Sequence, residues 1–278
     1  MYGAYLVRSH RDLSLASPRI PSVSRCGVWL GRLIAVLLAS ALLTNSIPSS
    51  GAEMTADEVR SFLATHKGDT VPNLAGKDLS GLDLANVDFR NVDLTGANLK
   101  RANLSGADLS GALIDLAILR GANLTSAKLR EVSAFSTILA EADLTGADLA
   151  RAKLVCNFEN ANLTNANLEG AAMGADMRNQ SMGLMRLSLR NATLHGARLS
   201  GADMSRAMLE FADFTGADLA GANLMRAEAG GADFSGAALT GANFTGADLQ
   251  NARFVGAKGI DSVVGLDSTT NRDSAVFE

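Results

Sequence analysis

A leucine, or a residue close to it in size, recurs every five positions along most of this chain, and that spacing rules out most ways of folding it. From Leu74 the series runs through Leu79, Leu84, Phe89, Leu94, Leu99, Leu104 and Leu109 to Ile114, Leu119, Leu124 and Leu129. It drops to the small Ala134 and resumes at Leu139, Leu144, Leu149 and Leu154. From Ala97 onward the residue two before each is usually Ala, with Asp or Asn between. A Ser, Thr or charged residue follows, and then very often Gly, giving the unit A(D/N)LxG. A helix would scatter a five-residue period around its circumference, and a straight strand would alternate it between faces. Neither gathers the leucines into one core. Within the unit, Ala and Leu are two apart, so a short extended segment turns both inward and the Asp or Asn outward. The last two positions, rich in Gly and Asn that tolerate positive φ, must turn the chain. Each pentapeptide is then one side of a coil.

Residues matching at a spacing of twenty give the number of sides. Phe214, Phe234 and Phe254 follow this spacing over Ala212, Ala232 and Ala252, and Asp83, Asn103, Asn123 and Asp143 repeat it on the outside. Four sides per coil, stacked as parallel strands ~4.8 Å apart, predict roughly 37 repeats, or about nine coils, in a rod near 45 Å long. Composition agrees: 47% of residues are hydrophobic but only 5% aromatic, which suits a thin core of Ala and Leu. The count slips after Leu154, continuing through Phe158, Leu163, Leu168 and Met173, then suggests a second slip to Met177. It is ambiguous up to Leu189, with Met182, Leu184 and Leu187 competing for the inward role. Leu189 to Phe254 is regular again, so the register is irregular near 155–188.

Runs such as Ala97-Asn98-Leu99, Ala147-Asp148-Leu149 and Ala242-Asn243-Phe244 resemble the pentapeptide-repeat family, over residues 73–259. The resemblance implies an all-β fold, a right-handed quadrilateral parallel β-helix; the handedness comes from the resemblance alone. Both open ends of such a solenoid need covering. Within 53–72, Thr55-Ala56-Asp57-Glu58 offers a capping box ahead of Val59, Phe62 and Leu63, predicting a short N-terminal capping helix. Residues 260–278 carry apolar side chains outside the five-residue pattern and are expected to form the second cap.

The first 52 residues have a different logic. Five arginines, an apolar run from Leu33 to Leu43 and the small-residue stretch ending at Ala52 follow the order of a secretory signal peptide, with cleavage after Ala52. The run reaches only ~16 Å as a helix, about half a hydrocarbon core. Export to the periplasm or medium is the expectation, and an N-terminal anchor at the inner membrane the alternative. The remaining residues hold 20 basic against 28 acidic side chains, a net charge of −8. That disfavours direct binding to nucleic acid or stable membrane insertion after cleavage. Cys26 lies in the leader, and Cys156 occupies an inward Ala position.

No chemistry is expected: catalytic, cofactor-binding and metal-ligating sets are absent from the sequence pattern. His66 and His195 form no helical ligand pair, and there is no GxSxG, Walker loop or CxxC. The Asp residues alternate freely with Asn, as a solvated ladder would. Two features suggest an interaction surface. Arg186, Arg206 and Arg226 lie twenty apart, and such stacked cations call for an anionic partner or for screening by Glu210 and Glu228. Met177, Met182 and Met185, with Met173, occupy the irregular stretch, where flexible thioethers suit either an adaptable interface or uneven core filling. The reading is an exported, non-catalytic interaction or scaffold solenoid whose partner is another protein or an extracytoplasmic polymer, with homodimerisation left open. The alternative carried by the resemblance is an acidic DNA mimic that binds a type II topoisomerase, which requires a cytosolic chain.

Overall fold

A computed structural model of the chain describes residues 51–66, 70–175 and 186–278. Parallel backbone bridges join residues twenty apart into four columns, one per side of a square coil. Face A begins Asn73, Asp93, Leu113 and Ser133; face B begins Asp78, Asn98, Ile118 and Ile138; face C begins Asp83, Asn103, Asn123 and Asp143; face D begins Asp88, Asp108, Lys128 and Asp148. The residues on either side of each bridging position point inward, as buried Ala97 and Leu99 do around Asn98. Face A has nine members up to Asn243, so nine coils stack before the C-terminal segment. Each side has about three extended residues and most contribute a single bridge. Among the described residues, the strands that run longer are β1 (Ser133–Ile138) and β2 (Lys153–Asn157), paired in parallel around the edge between faces A and B.

The five-residue unit accounts for all five of its backbone N–H groups. Around Asn98, Ala97 N–H donates to Leu94 O within the turn and Asn98 N–H to Lys77 O of the coil before. Leu99 and Arg101 N–H donate to Ile118 and Arg120 O of the coil after. The fifth donor, Lys100 N–H, bonds Asn98 Oδ1 at 3.2 Å. This last bond recurs at Ser80 to Asp78, Thr95 to Asp93 and Thr215 to Asp213. The outward Asp or Asn is therefore more than a solvated group: it closes an Asx turn, and either residue serves because only Oδ1 is required. Asn side chains add rungs between coils, Asn103 Nδ2 donating to Asp83 Oδ1 at 2.8 Å and Asn123 Nδ2 to Asn103 Oδ1 at 3.2 Å.

Two length changes interrupt the columns, both at the A/B edge. Ser136 and Thr137 of β1 face a single residue of β2, a bulge after which the ladder offset is 19, as at Asp143 to Asn162. Beyond Met173 the offset becomes 31, as at Asn157 to Ser188, and returns to 20 from Ser188 to Met208. Eleven extra residues thus enter between Met173 and Leu187 in place of a one-residue slip to Met177. Leu187 takes the inward Ala position and Leu189 the inward Leu position, both fully buried. Met177, Met182 and Met185 lie outside the described residues.

The first coil has no predecessor to donate to its carbonyls. Helix α1 (Ala56–Thr65) begins with a capping box in which Glu58 N–H bonds Thr55 Oγ1 and Thr55 N–H bonds Glu58 Oε2. Val59 is buried in the core, with Phe62 and Leu63 against it. Glu53 N–H donates to Asp78 O, and Arg60 Nη2 donates to Asp83 O at 2.8 Å, so two of those carbonyls are satisfied. Among the described residues no helix is long and apolar enough to cross a membrane.

At the other end the period changes from five to six. Gly259, Gly265 and Asn271, all with positive φ, each open a 3-10 turn: Ile260–Ser262, Leu266–Ser268 and Arg272–Ser274. Ser262, Ser268 and Ser274 Oγ accept from the N–H groups of Gly241, Gly246 and Asn251, the donors that elsewhere reach a carbonyl of the next coil. Inside, Phe214, Phe234 and Phe254 stack at 5.0 Å between ring centres. The column continues to Phe277 at 5.0 Å, where the Arg272 guanidinium lies 5.7 Å from the ring centre.

Candidate interaction surface

The A/B edge gathers five of the nine exposed large apolar side chains among the described residues. Leu113, Ile118 and Ile138 occupy bridging positions where the unit calls for Asp or Asn, while Leu116 and Phe135 lie at the edge itself. An aliphatic residue at a bridging position cannot accept the N–H two residues on, so the Asx turn is lost at these sides. Leu116 stands at a corner with φ 61°, in the left-handed region where Gly is usual, and is 58% exposed. That conformation costs a non-Gly residue about 1–2 kcal/mol, and burial does not offset it here. Asp115, between them, accepts from Ser133 Oγ at 2.8 Å and from Phe135 N–H at 2.7 Å, fixing the local path of β1. Phe211 is a second case on the B/C edge, with φ 60° and 70% exposure, its ring lying over Gly231.

Beside the edge, the bulge and the missing residue leave a cleft of about 330 Å³ on face B. Thr137, Ile138, Val155, Cys156, Asn157, Glu159, Arg186, Ser188 and Met208 are among its lining residues. Thr137 is buried at an inward Ala position because its hydroxyl donates to Ile114 O at 2.6 Å. Ser188 Oγ donates to Glu159 Oε1 at 3.1 Å. Burial pushes the Cys156 thiol well above its usual range. A second cleft of about 450 Å³ lies where α1 meets the C/D edge, between Arg60, Leu63 and His66 on one side and Ala85 to Asp88 on the other.

The three arginines do not form a ladder of equivalent, unpaired cations. Arg186 is half-buried, with Nε donating to Arg206 O at 2.6 Å and Nη1 to Glu228 Oε1 at 2.8 Å. Glu210 is bound by Arg190 through two hydrogen bonds instead. Burial pushes the Glu210 carboxyl up, but the Arg190 bonds prevail and its pKa is lowered. Arg206 and Arg226 occupy positive-φ corners and make no ion pair among the described residues. His195 Nδ1 lies 2.8 Å from Thr215 Oγ1 on face C, and His66 Nδ1 lies 2.8 Å from Phe62 O. Among the described residues no group of His, Cys, Asp and Glu is arranged to hold a metal ion. Sequence reasoning passed over Leu113, Leu116, Ile118, Phe135 and Ile138. Their signal was present as apolar residues in the outward and turn positions of the unit.

The pentapeptide repeats family matches the chain over residues 73–111, 117–155, 156–179, 188–226 and 230–258, more than half its length, in eight copies. HetL, a pentapeptide repeat protein involved in heterocyst differentiation regulation from Nostoc sp. strain PCC 7120, is 30% identical. The match covers 80% of this chain and 99% of HetL, with a TM-score of 0.36. QnrB1, a plasmid-mediated fluoroquinolone resistance protein, is 18% identical over 68% of this chain and 91% of its own, at a TM-score of 0.41. A pentapeptide repeat protein from the Arabidopsis thaliana thylakoid lumen is 28% identical over 50% of this chain and 69% of its own, with a TM-score of 0.15. Among curated proteins none matches. With its five-residue unit, four bridging columns and matched repeats, the chain belongs to the pentapeptide-repeat family, whose members form right-handed quadrilateral β-helices.

Proposed function

We propose that this protein is an exported, non-catalytic solenoid that binds another protein through its A/B edge. The observation that carries the reading is the coincidence there of both length changes and five exposed apolar side chains. Conserving the four columns while letting one edge vary is how a repeat scaffold carries a specific surface. An exposed apolar side chain held in a costly backbone conformation, as Leu116 is, points to use in recognition. The basic, apolar and small-residue order of the residues up to Ala52 supports export. Helix α1 serves as the N-terminal cap in this reading, by burying Val59 and satisfying two carbonyls of the first coil.

Affinity capture from the native periplasm, with the chain from residue 53 as bait, tests the binding role. A Phe135→Ser bait retaining the full set of partners would refute it. Cell fractionation with N-terminal sequencing tests export, and an intact cytosolic chain would refute that part. The acidic DNA-mimic reading draws on the net charge of −8 after residue 52 and on the same fractionation result.

A further inference from the structure

The apolar residues of the A/B edge are bordered by cations on the B/C side. On face B, Lys100, Arg101 and Arg120 run along the B/C side of coils 2 and 3, beside the Ile118 and Ile138 column. Arg101 N–H donates to Arg120 O at 3.0 Å, and the Arg101 stem lies over Gly121, so the cations form a continuous line against the face. The carboxylates nearby are already engaged. Asp115 takes Ser133 Oγ and Phe135 N–H, Asp78 takes Ser80 N–H and Asn98 Nδ2, and Glu141 pairs with Arg120. Lys100 and Arg101 form no ion pair among the described residues, and both lie close enough to Glu141 to help Arg120 lower its pKa. A chain that is acidic overall thus carries on one face cations in coils 2 and 3 and exposed apolar side chains in coils 3 and 4, which adjoin diagonally and meet at coil 3.

We propose that coils 2 to 4 of face B dock an acidic amphipathic segment of a partner protein. Its apolar side chains would lie on Leu116, Ile118, Phe135 and Ile138, and its carboxylates along Lys100 and Arg101. The proposal rests on the protein-binding reading above and adds the chemistry of the partner. Charge complementarity decides the occupant: the apolar line alone would suit any hydrophobic segment, whereas the unpaired cations beside it select acidic flanks. A peptide meets only this local field. An anionic bilayer would meet the acidic remainder of the rod as well, within a Debye length of about 8–10 Å.

Fluorescent peptides about twelve residues long, titrated against the purified protein by anisotropy, test this. One alternates Leu or Phe with Asp or Glu, a second replaces the acids by Lys, and a third replaces the apolar residues by Ser. The first alone should bind, more weakly as salt rises. Leu116→Gly, Phe135→Ser and the double change Lys100→Glu with Arg101→Glu should each weaken it by at least about tenfold. Leu116→Gly relieves a left-handed corner, so its loss of binding cannot be assigned to unfolding if its melting temperature is held. Equal binding of the Lys or Ser peptide, or indifference to the three variants, overturns the proposal. So do a light-scattering dimer that Phe135→Ser dissociates without any peptide binding, and binding to phosphatidylglycerol vesicles in preference to the acidic peptide. If capture depends on Phe135 but the peptides show no acidic preference, the partner chemistry is wrong and the protein-binding reading survives. If capture is indifferent to Phe135, that reading fails first.

Discussion

Replacing Phe234 by Ala should be among the most destabilising single changes in the C-terminal half, and should act locally. Its ring is stacked between Phe214 and Phe254 at 5.0 Å on each side and meets Phe244 edge-on at 5.5 Å. Truncating a buried Phe to Ala typically costs about 3–5 kcal/mol. Three aromatic neighbours, each worth ~0.5–1.5 kcal/mol beyond burial, place this site at the top of that range, about 5 kcal/mol. Phe234→Leu keeps most of the volume and loses chiefly the ring pairs, so about 2 kcal/mol is expected. Because each coil touches only its neighbours, the damage should stay near its origin. In hydrogen exchange read by mass spectrometry, protection over 202–258 should fall while that over 73–150 is retained. Denaturant titration gives the total. A loss below about 2 kcal/mol for Phe234→Ala, or an even loss of protection along the chain, would refute the argument.

Acidification supplies another test. Hydrogen bonds from Ser80 lower the pKa of Asp78, those from Arg90 lower Asp88, and that from Arg120 lowers Glu141. Folded pKa values below the unfolded ones of ~3.9–4.3 give stability that is complete above that range and is lost as pH falls through the folded values; melting temperature should be flat above pH 5 and decline below about pH 4. Leu116→Gly exchanges a left-handed strain of about 1–2 kcal/mol for a Gly chain-entropy cost of about 0.5–1 kcal/mol, so thermal melting should show no loss. Changing Ser262, Ser268 and Ser274 together to Ala should cost about 1–3 kcal/mol and raise amide exchange at Gly241, Gly246 and Asn251 as measured by NMR. In a Cys26→Ser background, buried Cys156 should resist thiol reagents until the coil opens, so labelling at neutral pH should track unfolding.

The repeat made the four-sided coil legible before any coordinates, because Ala and Leu two apart leave a single way to share an interior. The same regularity hid the rest. Asp and Asn looked interchangeable and therefore merely solvated, although the Oδ1 bond to the N–H two residues on explains both the position and the interchange. Arg186, Arg206 and Arg226 shared a spacing but not an environment, since Arg186 reaches Glu228 and the Arg206 carbonyl while Arg206 and Arg226 stand at positive-φ corners. The six-residue C-terminal period was written in Asp261-Ser262, Asp267-Ser268 and Asp273-Ser274, and a search tuned to five passed it by. Leu116 falls on the Gly position of its unit, Ala112 to Leu116, where the turn imposes a positive φ on whatever residue stands there.

Confining every interior change of length to one edge has a further consequence. Offsets of 19 and 31 are both foreign to a period of twenty, yet Asp143, Asn162, Thr193 and Asp213 still fall in one column. The A/B edge acts as an expansion joint: residues can be added or removed there without shifting the phase of any face before or after it. A guest peptide inserted between Met173 and Leu187 would inherit this tolerance, whereas the same insertion on the C/D edge would have no structural precedent in this chain.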